Sequence, residues 1–349
     1  MSLPVQPPFA PMDALLVDEI PEGDVWQYEP KWDGFRCLVF RDGKKTQLQS
    51  KSGQSLTRYF PELVEAFLKL ETDRFVLDGE IAVPVDQHLS FDDLLQRIHP
   101  AESRVRKLAS QTPALFIAFD LLVDAQGRDL LNRPLSERRK ALERFSRHFA
   151  GTSGRLRLSP STNKLSSAKK WFGRVGNDLD GIVAKRIDVS YRSGDRTRMQ
   201  KIKLTRTADC VIGGFRYAAK ARVIGSLLLG LYDESGLLNH VGFCSGLKAD
   251  QRKSLLTKLE PLIETPGFTG NAPGGPSRWS AKRSTEWEPL RPELVIEVSY
   301  DHFTGGRFRH GTSLIRWRPD KAPEQCTMDQ VSKVSEGSMR LLESKELAE

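Results

Sequence analysis

Cysteine and histidine are sparse in this sequence, and neither is arranged as a metal site or a disulfide framework. The 349 residues include four cysteines and six histidines. The cysteines form no CxxC pair, and the histidines lack the spacing of zinc ligands. The four thiols are Cys37, Cys210, Cys244 and Cys326. Scattered thiols of this kind are typical of a reduced, cytosolic protein.

Long hydrophobic runs are absent as well. No stretch of the sequence reaches the roughly 20 consecutive apolar residues that a membrane-spanning helix needs. The N-terminal segment has neither the basic start nor the apolar core of a secretion signal. We therefore expect a cytoplasmic protein that has no membrane partner.

Acidic residues are outnumbered by basic ones, 45 to 53, which gives a formal net charge of +8. A hydrophobic content of 39% and a charged content of 28% indicate a folded globular protein rather than a disordered one. The positive excess predicts an anionic macromolecular partner. Net charge alone does not distinguish DNA from RNA or from an acidic protein.

The length and the distribution of apolar residues predict two domains. Up to about residue 205, dense apolar runs at 75–83 and 115–123 predict buried strands, and Ser136 is a candidate N-cap for a following helix. After the break, five short strand candidates with glycine-rich turns and one helix predict an OB-fold over residues 206–328. Residues 329–349 form a polar tail.

Lys31 is the first candidate catalytic residue. It lies in the segment EPKWDGFR, two residues before Asp33-Gly34 and five before Arg36. A lysine that loses its proton becomes a nucleophile toward phosphates, and a nearby arginine can hold the anion under attack. Taken alone, the pattern also fits a solvated lysine on an edge strand.

Five further motifs follow along the chain, and each supplies charged or aromatic side chains suited to binding a nucleotide. Their residues are Lys51 of SKSG, Asp78 and Glu80 of DGE, Phe119 before Asp120, Asp180 and Lys185 of DGIVAK, and Lys201 and Lys203 of KIK. Asp78 and Glu80 share a strand face and could bind a metal or sugar hydroxyls. Asp180 and Lys185 lie on opposite strand faces unless a bulge intervenes. Each motif alone also fits a turn, a core residue or a solvated strand face.

Their order along the chain resembles that of the nucleotidyltransferase superfamily, which includes DNA ligases, RNA ligases and mRNA capping enzymes. The late segment RWRPDK is similar to the last motif of that superfamily, with Arg318, Asp320 and Lys321. The segments NRPLSERR and TADCVIGGF are similar to ATP-dependent DNA ligases. SFDDLLQRIHP and LRPELVIEV are similar to bacterial ligases, both the ligase domain of ligase D and the small stand-alone ligase C group, and RIHPAESRV and IGSLLLGLY bring the resemblance closest to ligase C.

This resemblance implies an α+β fold, in which a nucleotidyltransferase (adenylation) domain of antiparallel sheets with flanking helices, over residues 1–205, precedes the OB-fold. It also implies that Lys31 attacks the α-phosphate of ATP, becomes a lysine-AMP adduct, and passes AMP to a 5′-phosphate at a nick in duplex DNA. The implied ATP-binding residues are Glu29 at the adenine, Phe119 stacked on the ring, Arg36 and Glu80 at the ribose, Lys51, Lys185, Lys201 and Lys203 at the phosphates, and Arg318, Asp320 and Lys321 at the pyrophosphate.

Two residues depart from the common pattern of the superfamily. Lys51 stands where many relatives have arginine, so it keeps the charge but loses the planar, bidentate fork. Asp180 stands where many DNA ligases have glutamate. The resemblance implies that Glu80 and Asp180 bind the metal, which is Mg²⁺ with Mn²⁺ as the alternative. A basic segment with Arg278, Lys282 and Arg283 is a candidate DNA contact or a plain surface loop.

Several alternatives stay open at the level of sequence. An RNA ligase or a GTP-dependent capping-type enzyme shares several motifs, and a non-catalytic DNA-end-binding protein could retain the fold. The implied role is DNA repair by a monomer in a bacterial cytoplasm, associated with the nucleoid when bound to DNA. A primase-polymerase or Ku are possible partners.

Overall fold

The computed structural model describes residues 1–174, 179–218, 221–247, 249–274, 286–331 and 337–343, without the side chains of 172–174 and 249–251. The chain divides into two compact units, Met1–Leu204 together with Ser335–Glu349, and Thr205–Val334. Within the described ranges, no helix is both long and apolar enough to cross a membrane.

Two antiparallel-rich sheets form the first unit. One has the strand order β4-β3-β5-β8-β9 and the other the order β1-β11-β10-β2, while β6 and β7 pair by themselves. The strands are β1 (Leu15–Leu16), β2 (Trp26–Trp32), β3 (Phe35–Asp42), β4 (Lys45–Ser50), β5 (Arg74–Ala82), β6 (Pro84–Val85), β7 (His88–Leu89), β8 (Leu115–Val123), β9 (Leu156–Leu158), β10 (Leu179–Arg186) and β11 (Met199–Lys203).

The central strands of the five-stranded sheet are buried on both faces, which is why their sequences are densely apolar. Along β3, Cys37 and Val39 belong to one hydrophobic cluster, whereas Leu38 and Phe40 belong to another. Because successive side chains point to opposite faces of the sheet, β3 contributes to two hydrophobic clusters, one on each face. The surrounding helices are α1 (Pro61–Leu68), α2 (Phe91–Gln96), α3 (Glu102–Gln111), α4 (Leu135–Phe145) and α5 (Leu165–Arg174), with 3-10 turns at Thr57–Tyr59 and Ser146–Phe149.

Helix α4 begins two residues earlier than its sequence suggests. Pro134 occupies the N-cap position, and Ser136 lies inside the helix, so the predicted Ser136 cap is wrong. The helix is fixed instead by Arg138, whose Nε and Nη2 each donate to an Asp120 carboxylate oxygen at 2.9 Å. Both side chains are buried, and the pair attaches α4 to β8 directly beside Phe119.

The second unit is the predicted OB-fold, with the sheet order β14-β13-β12-β16-β19 and β15 paired to β12. Its core cluster includes Ile212, Leu229 and Ile296. The elements are β12 (Arg206–Ala218), β13 (Ala221–Tyr232), β14 (Leu238–Cys244), α6 (Ala249–Leu259), β15 (Glu288–Pro289), β16 (Val295–Tyr300), β17 (Phe303–Thr304), β18 (Arg307–Phe308) and β19 (Ser313–Trp317), with 3-10 turns at Glu260–Leu262, Pro323–Gln325 and Met328–Gln330.

After the OB-fold, the chain returns to the first unit as helix α7 (Met339–Glu343). Met339 and Leu341 are buried in the cluster that also contains Trp171. The Met339 amide donates to the Gln87 carbonyl at 3.1 Å. The described part of the predicted polar tail therefore contributes apolar side chains to the first unit. The predicted domain boundaries themselves stay predictions.

Candidate active site

Lys31 lies at the end of β2, where the chain turns sharply into β3. Gly34 forms this turn, and a side chain there would place its Cβ 2.2 Å from the Ile81 carbonyl oxygen. The close approach of the turn to β5 therefore requires glycine. Lys31 Nζ forms an ion pair with Asp180 Oδ2, and both side chains are largely shielded from solvent.

A β-bulge on β10 brings Asp180 to Lys31. The pairing of β10 with β2 shifts register between Leu179 and Gly181, and Gly181 adopts a φ of +135°. The sequence alone did not decide whether a bulge interrupts this strand, and the structure contains one. Because of it, Asp180 pairs with Lys31 while Lys185, on the same strand, lines the neighbouring pocket.

A pocket of about 800 Å³ opens in the first unit at this point. It gathers side chains from β2, β3, β5, β8, β10 and β11, which are distant in sequence. The predicted site residues that line it are Glu29, Lys31, Arg36, Lys51, Glu80, Phe119, Lys185 and Lys201. Asp180 and Lys203 are not among the lining residues. A volume of this size is in the range of small-molecule sites.

Phe119 presents its ring to two cations. The Arg36 guanidinium lies 4.7 Å from the ring centroid and Lys185 Nζ lies 4.6 Å from it. Lys185 Nζ also forms an ion pair with Glu29 Oε1 at 2.9 Å, and Gln27 Nε2 donates to the same oxygen at 2.8 Å. This end of the pocket thus offers an aromatic surface beside a fixed, buried carboxylate, which suits a purine base.

Arg36 is held by a buried network that sequence reasoning missed in part. Its Nε and Nη2 donate to the two Asp78 oxygens at 2.7 Å, and Nη2 also donates to the Met12 carbonyl at 3.1 Å. The Tyr191 hydroxyl donates to Asp78 Oδ2 at 2.7 Å. Burial disfavours the charge of Arg36, but the Asp78 carboxylate outweighs this effect and raises the pKa of Arg36. Asp78 is fully buried in this network, so its proposed direct role with a metal or sugar is wrong.

Glu80 differs from Asp78 because it lines the pocket. Burial raises the pKa of Glu80 to about 8, despite the attraction of Lys31 and Arg36. A carboxyl group that is costly to ionise in the empty pocket gains from a bound cation or hydrogen-bond donor.

Lysine is frequent among the remaining residues that line the pocket. Lys51 Nζ lies 2.7 Å from Asp13 Oδ2, and Lys201 lies nearby on β11. Burial lowers the pKa of Lys201, and the charges of Lys51 and Lys31 lower it further. Several cations crowded in one place suit a polyphosphate.

Two family models match this chain. One is described as an ATP dependent DNA ligase domain and matches residues 11–203, and the other is described as an ATP dependent DNA ligase C terminal region and matches residues 220–321. The chain belongs to the ATP-dependent DNA ligase family.

Individual relatives of this ligase agree with the match. DNA ligase C2 of Mycolicibacterium smegmatis is 45% identical over 347 residues, which is 95% of this chain and 96% of that protein. The multifunctional non-homologous end joining DNA repair protein LigD of Mycobacterium tuberculosis is 32% identical over 311 residues, 87% of this chain but 37% of that protein. A solved structure named Pmar-Lig_Pre. has a TM-score of 0.57 at 15% sequence identity. The match covers 88% of this chain and 68% of that one, and it supports the fold alone.

The predicted family, the α+β fold and the ATP-dependent DNA ligase activity are therefore confirmed. ATP, a divalent metal and nicked DNA are the reactants and cofactors that this activity involves. Both family models, and the relatives named above, are of DNA ligases rather than of RNA ligases or capping enzymes. The roles of individual residues stay predictions.

The predicted C-terminal motif of the ligase lies in its second unit. Arg318 Nη1 donates to both Asp209 oxygens at 2.9 Å, and Lys321 Nζ donates to Asp209 Oδ2 at 2.8 Å. Asp320 accepts hydrogen bonds from Arg318 as well. Asp209, at the start of the OB-fold, was not predicted as a site residue. The candidate DNA contacts in the segment 278–283 lie outside the described residues.

Proposed function

We propose that Lys31 is the nucleophile of the ligase. Its amine attacks the α-phosphorus of ATP, a nitrogen–phosphorus bond forms, the bond to the β-phosphate oxygen breaks, and pyrophosphate leaves. AMP then passes from Lys31 to the 5′-phosphate at a nick. Finally the 3′-hydroxyl attacks that 5′-phosphate and AMP is released. The observation that carries the proposal is the convergence of Lys31, Glu29, Phe119 and Lys185 on one pocket.

In this proposal the base and the ribose bind at the Phe119 end. Glu29 accepts a hydrogen bond from the adenine amino group, and Phe119 stacks on the ring. Arg36, held in place by Asp78, and Glu80 bind the ribose hydroxyls. Because these groups are fixed before ATP arrives, little binding energy is lost in ordering them.

The lysines act on the phosphates. Lys185 and Lys201 bind the α-phosphate and stabilise the charge that develops in the transition state, which is the main electrostatic requirement of phosphoryl transfer. Lys51 binds the outer phosphates, and Lys203 adds positive charge from the same strand as Lys201. Arg318, Asp320 and Lys321 orient the pyrophosphate; the pairing of Arg318 and Lys321 with Asp209, and of Arg318 with Asp320, supports a preformed cluster.

The metal in this proposal is Mg²⁺, with Mn²⁺ as a substitute, held by Glu80 and Asp180. The two carboxylates are hard oxygen donors, and Glu80 is costly to ionise without a cation, so both fit such an ion. When bound at Asp180, the ion would compete with the Lys31 ammonium for one carboxylate and favour the neutral, attacking amine. Asp180 otherwise holds the Lys31 side chain toward the pocket.

We further propose that this ligase acts in DNA repair, as a monomer in a bacterial cytoplasm and nucleoid, with a primase-polymerase or Ku as partner. The similarity to a relative named as a DNA repair protein supports the pathway. The adenylation domain would span residues 1–205 and the OB domain 206–328, followed by the tail at 329–349.

Covalent labelling tests the proposal. The protein is incubated with Mg²⁺ and either labelled ATP or labelled GTP, and denaturing gels are read for covalent label in wild type and Lys31→Ala. We expect label from ATP, none in Lys31→Ala, and sealing of nicked DNA by the wild type only. Label from GTP alone, or equal label in Lys31→Ala, would refute the proposal. Glu102→Ala, which removes a carboxylate from an exposed ion pair, is the matched control.

A further inference from the structure

Asp13 has no role in the reaction outlined above, yet its side chain lines the pocket. It lies just before β1, in a segment whose sequence carries no recognisable nucleotide-binding motif. Asp13 Oδ2 lies 2.7 Å from Lys51 Nζ and 3.5 Å from Arg196 Nε. One carboxylate oxygen therefore meets two cations at the lysine-rich end of the pocket.

Asp13 is the more firmly held member of this group, and Lys51 is the more exposed one. The Asp13 amide donates to the Asp195 carbonyl at 2.8 Å, and Asp13 Oδ1 accepts from the Ala14 amide at 2.9 Å. The Asp13 side chain is 15% exposed, whereas the Lys51 side chain is 55% exposed. A lysine on a flexible four-carbon stem takes its position from its partner. Asp13 therefore determines where the Lys51 ammonium rests.

The preceding residue, Met12, attaches the same segment to the network that holds Arg36. The Met12 amide donates to the Tyr191 hydroxyl at 2.9 Å, and the Met12 carbonyl accepts from Arg36 Nη2 at 3.1 Å. Met12 is buried in a hydrophobic cluster. The backbone that carries Asp13 is thus attached to the network that holds Arg36, which fixes the Asp13 carboxylate relative to the pocket.

The charges around Asp13 agree with this geometry. Burial would raise the pKa of Asp13, but the hydrogen bonds from Lys51 and from the Ala14 amide, together with the charges of Lys51 and Lys201, hold the pKa below the ordinary value. Asp13 is therefore ionised at neutral pH. Burial and the other lysines lower the pKa of Lys201, and the Asp13 carboxylate partly opposes this by raising it. The negative charge of Asp13 therefore offsets the repulsion between Lys51 and Lys201.

We propose that Asp13 is a positioning residue for ATP binding, and that it acts by holding the Lys51 ammonium at the phosphate end of the pocket. This inference rests on the proposed phosphate-binding role of Lys51. An arginine binds phosphate through a rigid, planar fork, which a lysine lacks. The fixed Asp13 carboxylate instead holds the Lys51 ammonium in one position. The ammonium has three N–H donors, so it can keep one hydrogen bond to Asp13 and donate the others to phosphate oxygens.

A double-mutant cycle tests this role. All variants carry Lys31→Ala, which should bind ATP without reacting, so that the Kd for ATP is an equilibrium quantity. We expect Asp13→Ala to raise the Kd about fivefold. This change corresponds to losing an ion pair whose free energy lies at the upper end of the range for exposed pairs. In the presence of Lys51→Ala, Asp13→Ala should change the Kd by less than about twofold, because the residue it positions is gone.

Conservative and distant substitutions make the test specific. Asp13→Asn keeps the size and a hydrogen-bond acceptor, so its Kd should lie between those of wild-type Asp13 and Asp13→Ala. Glu102→Ala should leave the Kd unchanged, and thermal unfolding of each variant checks the fold. An unchanged Kd in Asp13→Ala, or the same fivefold loss with and without Lys51, would overturn the inference.

Failure of the inference is distinguishable from failure of the proposed function. Covalent labelling of the protein with native Lys31 and Asp13 is measured in parallel. If it forms no adduct with ATP, the proposed function fails. If the adduct forms but the Kd values show no coupling between Asp13 and Lys51, only the role of Asp13 is refuted.

Discussion

Ion pairs decide the orientation of the cationic side chains in the pocket. Lys185 is held by Glu29, Arg36 by Asp78, and Lys31 by Asp180. Removing one partner of such a pair leaves the other charge poorly solvated. The free energy lost in this way exceeds the net stabilisation that the intact pair provides. The pocket is therefore preorganised for an anionic substrate before ATP binds, and each carboxylate partner contributes to that arrangement.

Phe119→Ala tests whether the aromatic ring binds the base. We expect the ATP concentration for half-maximal adduct formation to rise roughly tenfold or more, since stacking of a base on an aromatic ring contributes about 1–3 kcal/mol. Nick sealing by protein adenylated beforehand should change by less than about twofold. Phe119→Tyr, which keeps the ring, is the control. Equal losses in both assays would show that Phe119 only packs in the core.

Glu80→Gln tests the titration of the pocket carboxyl. The pKa of Glu80 is about 8 in the folded protein against an ordinary value of 4.5, so the folded state binds this proton more tightly than the unfolded chain. The stabilisation is complete below about pH 4.5 and is lost as the pH rises to about 8. The unfolding free energy of the wild type should therefore fall relative to that of Glu80→Gln over this window, by at most about 5 kcal/mol.

Urea unfolding at several pH values, without nucleotide or metal, measures this difference. Glu102→Ala, an exposed acid on α3, serves as a control that should track the wild type across the window. A difference between wild type and Glu80→Gln that stays constant with pH would contradict the raised pKa.

Among the elements, β10 carries two of the predicted site residues, Asp180 and Lys185. Its bulge turns Asp180 toward Lys31 and lets Lys185 line the pocket. A regular strand would separate these two side chains onto opposite faces, because their spacing of five is odd. Gly181 makes the bulge possible: its φ is +135°, and a Cβ there would lie 1.9 Å from the Ile202 carbonyl oxygen.

Gly181→Ala should therefore damage both stability and chemistry. We expect a loss of about 3 kcal/mol in the free energy of unfolding, together with a large drop in adduct formation, because Asp180 is displaced from Lys31. Gly194→Ala is the matched control, since Gly194 also has a positive φ of +71° but open space around it. It should cost only about 1–2 kcal/mol and leave adduct formation nearly unchanged. Similar effects of the two substitutions would refute the role of the bulge.

The strands of the first unit could be predicted from sequence because burial on both faces leaves dense apolar runs such as 75–83 and 115–123. The motif residues that line the pocket could be predicted because the order of the motifs resembles a known superfamily. Asp13 and Tyr191 could not, since each acts through contacts with residues far away in the chain. The Ser136 cap failed because Pro134 occupies the N-cap position two residues before it.

At the scale of the whole molecule, two units with separate cores carry a net charge of +8. The pocket around Lys31 lies in the first unit, and the Arg318 cluster lies in the second. A positive protein that acts on DNA irrespective of sequence binds mainly to phosphates, so its affinity depends on counterion release.

Nick binding should accordingly weaken steeply with salt. We expect the logarithm of the association constant for nicked DNA to fall linearly with the logarithm of salt concentration, with a slope of magnitude about 4 or more. Formation of the adduct from ATP, measured over the same salt range, should change much less. Fluorescence anisotropy on nicked and intact duplexes measures the slope, and a slope near zero would contradict phosphate-dominated binding.

The central claim is that AMP becomes attached to Lys31. The adduct formed with ATP and Mg²⁺ can be digested and its modified peptide located by mass spectrometry. The account predicts AMP on the Lys31 side chain, in the peptide that contains the β2–β3 turn, and nowhere else at significant yield. AMP on another pocket lysine, such as Lys51 or Lys185, or an adduct that persists in Lys31→Ala, would contradict it.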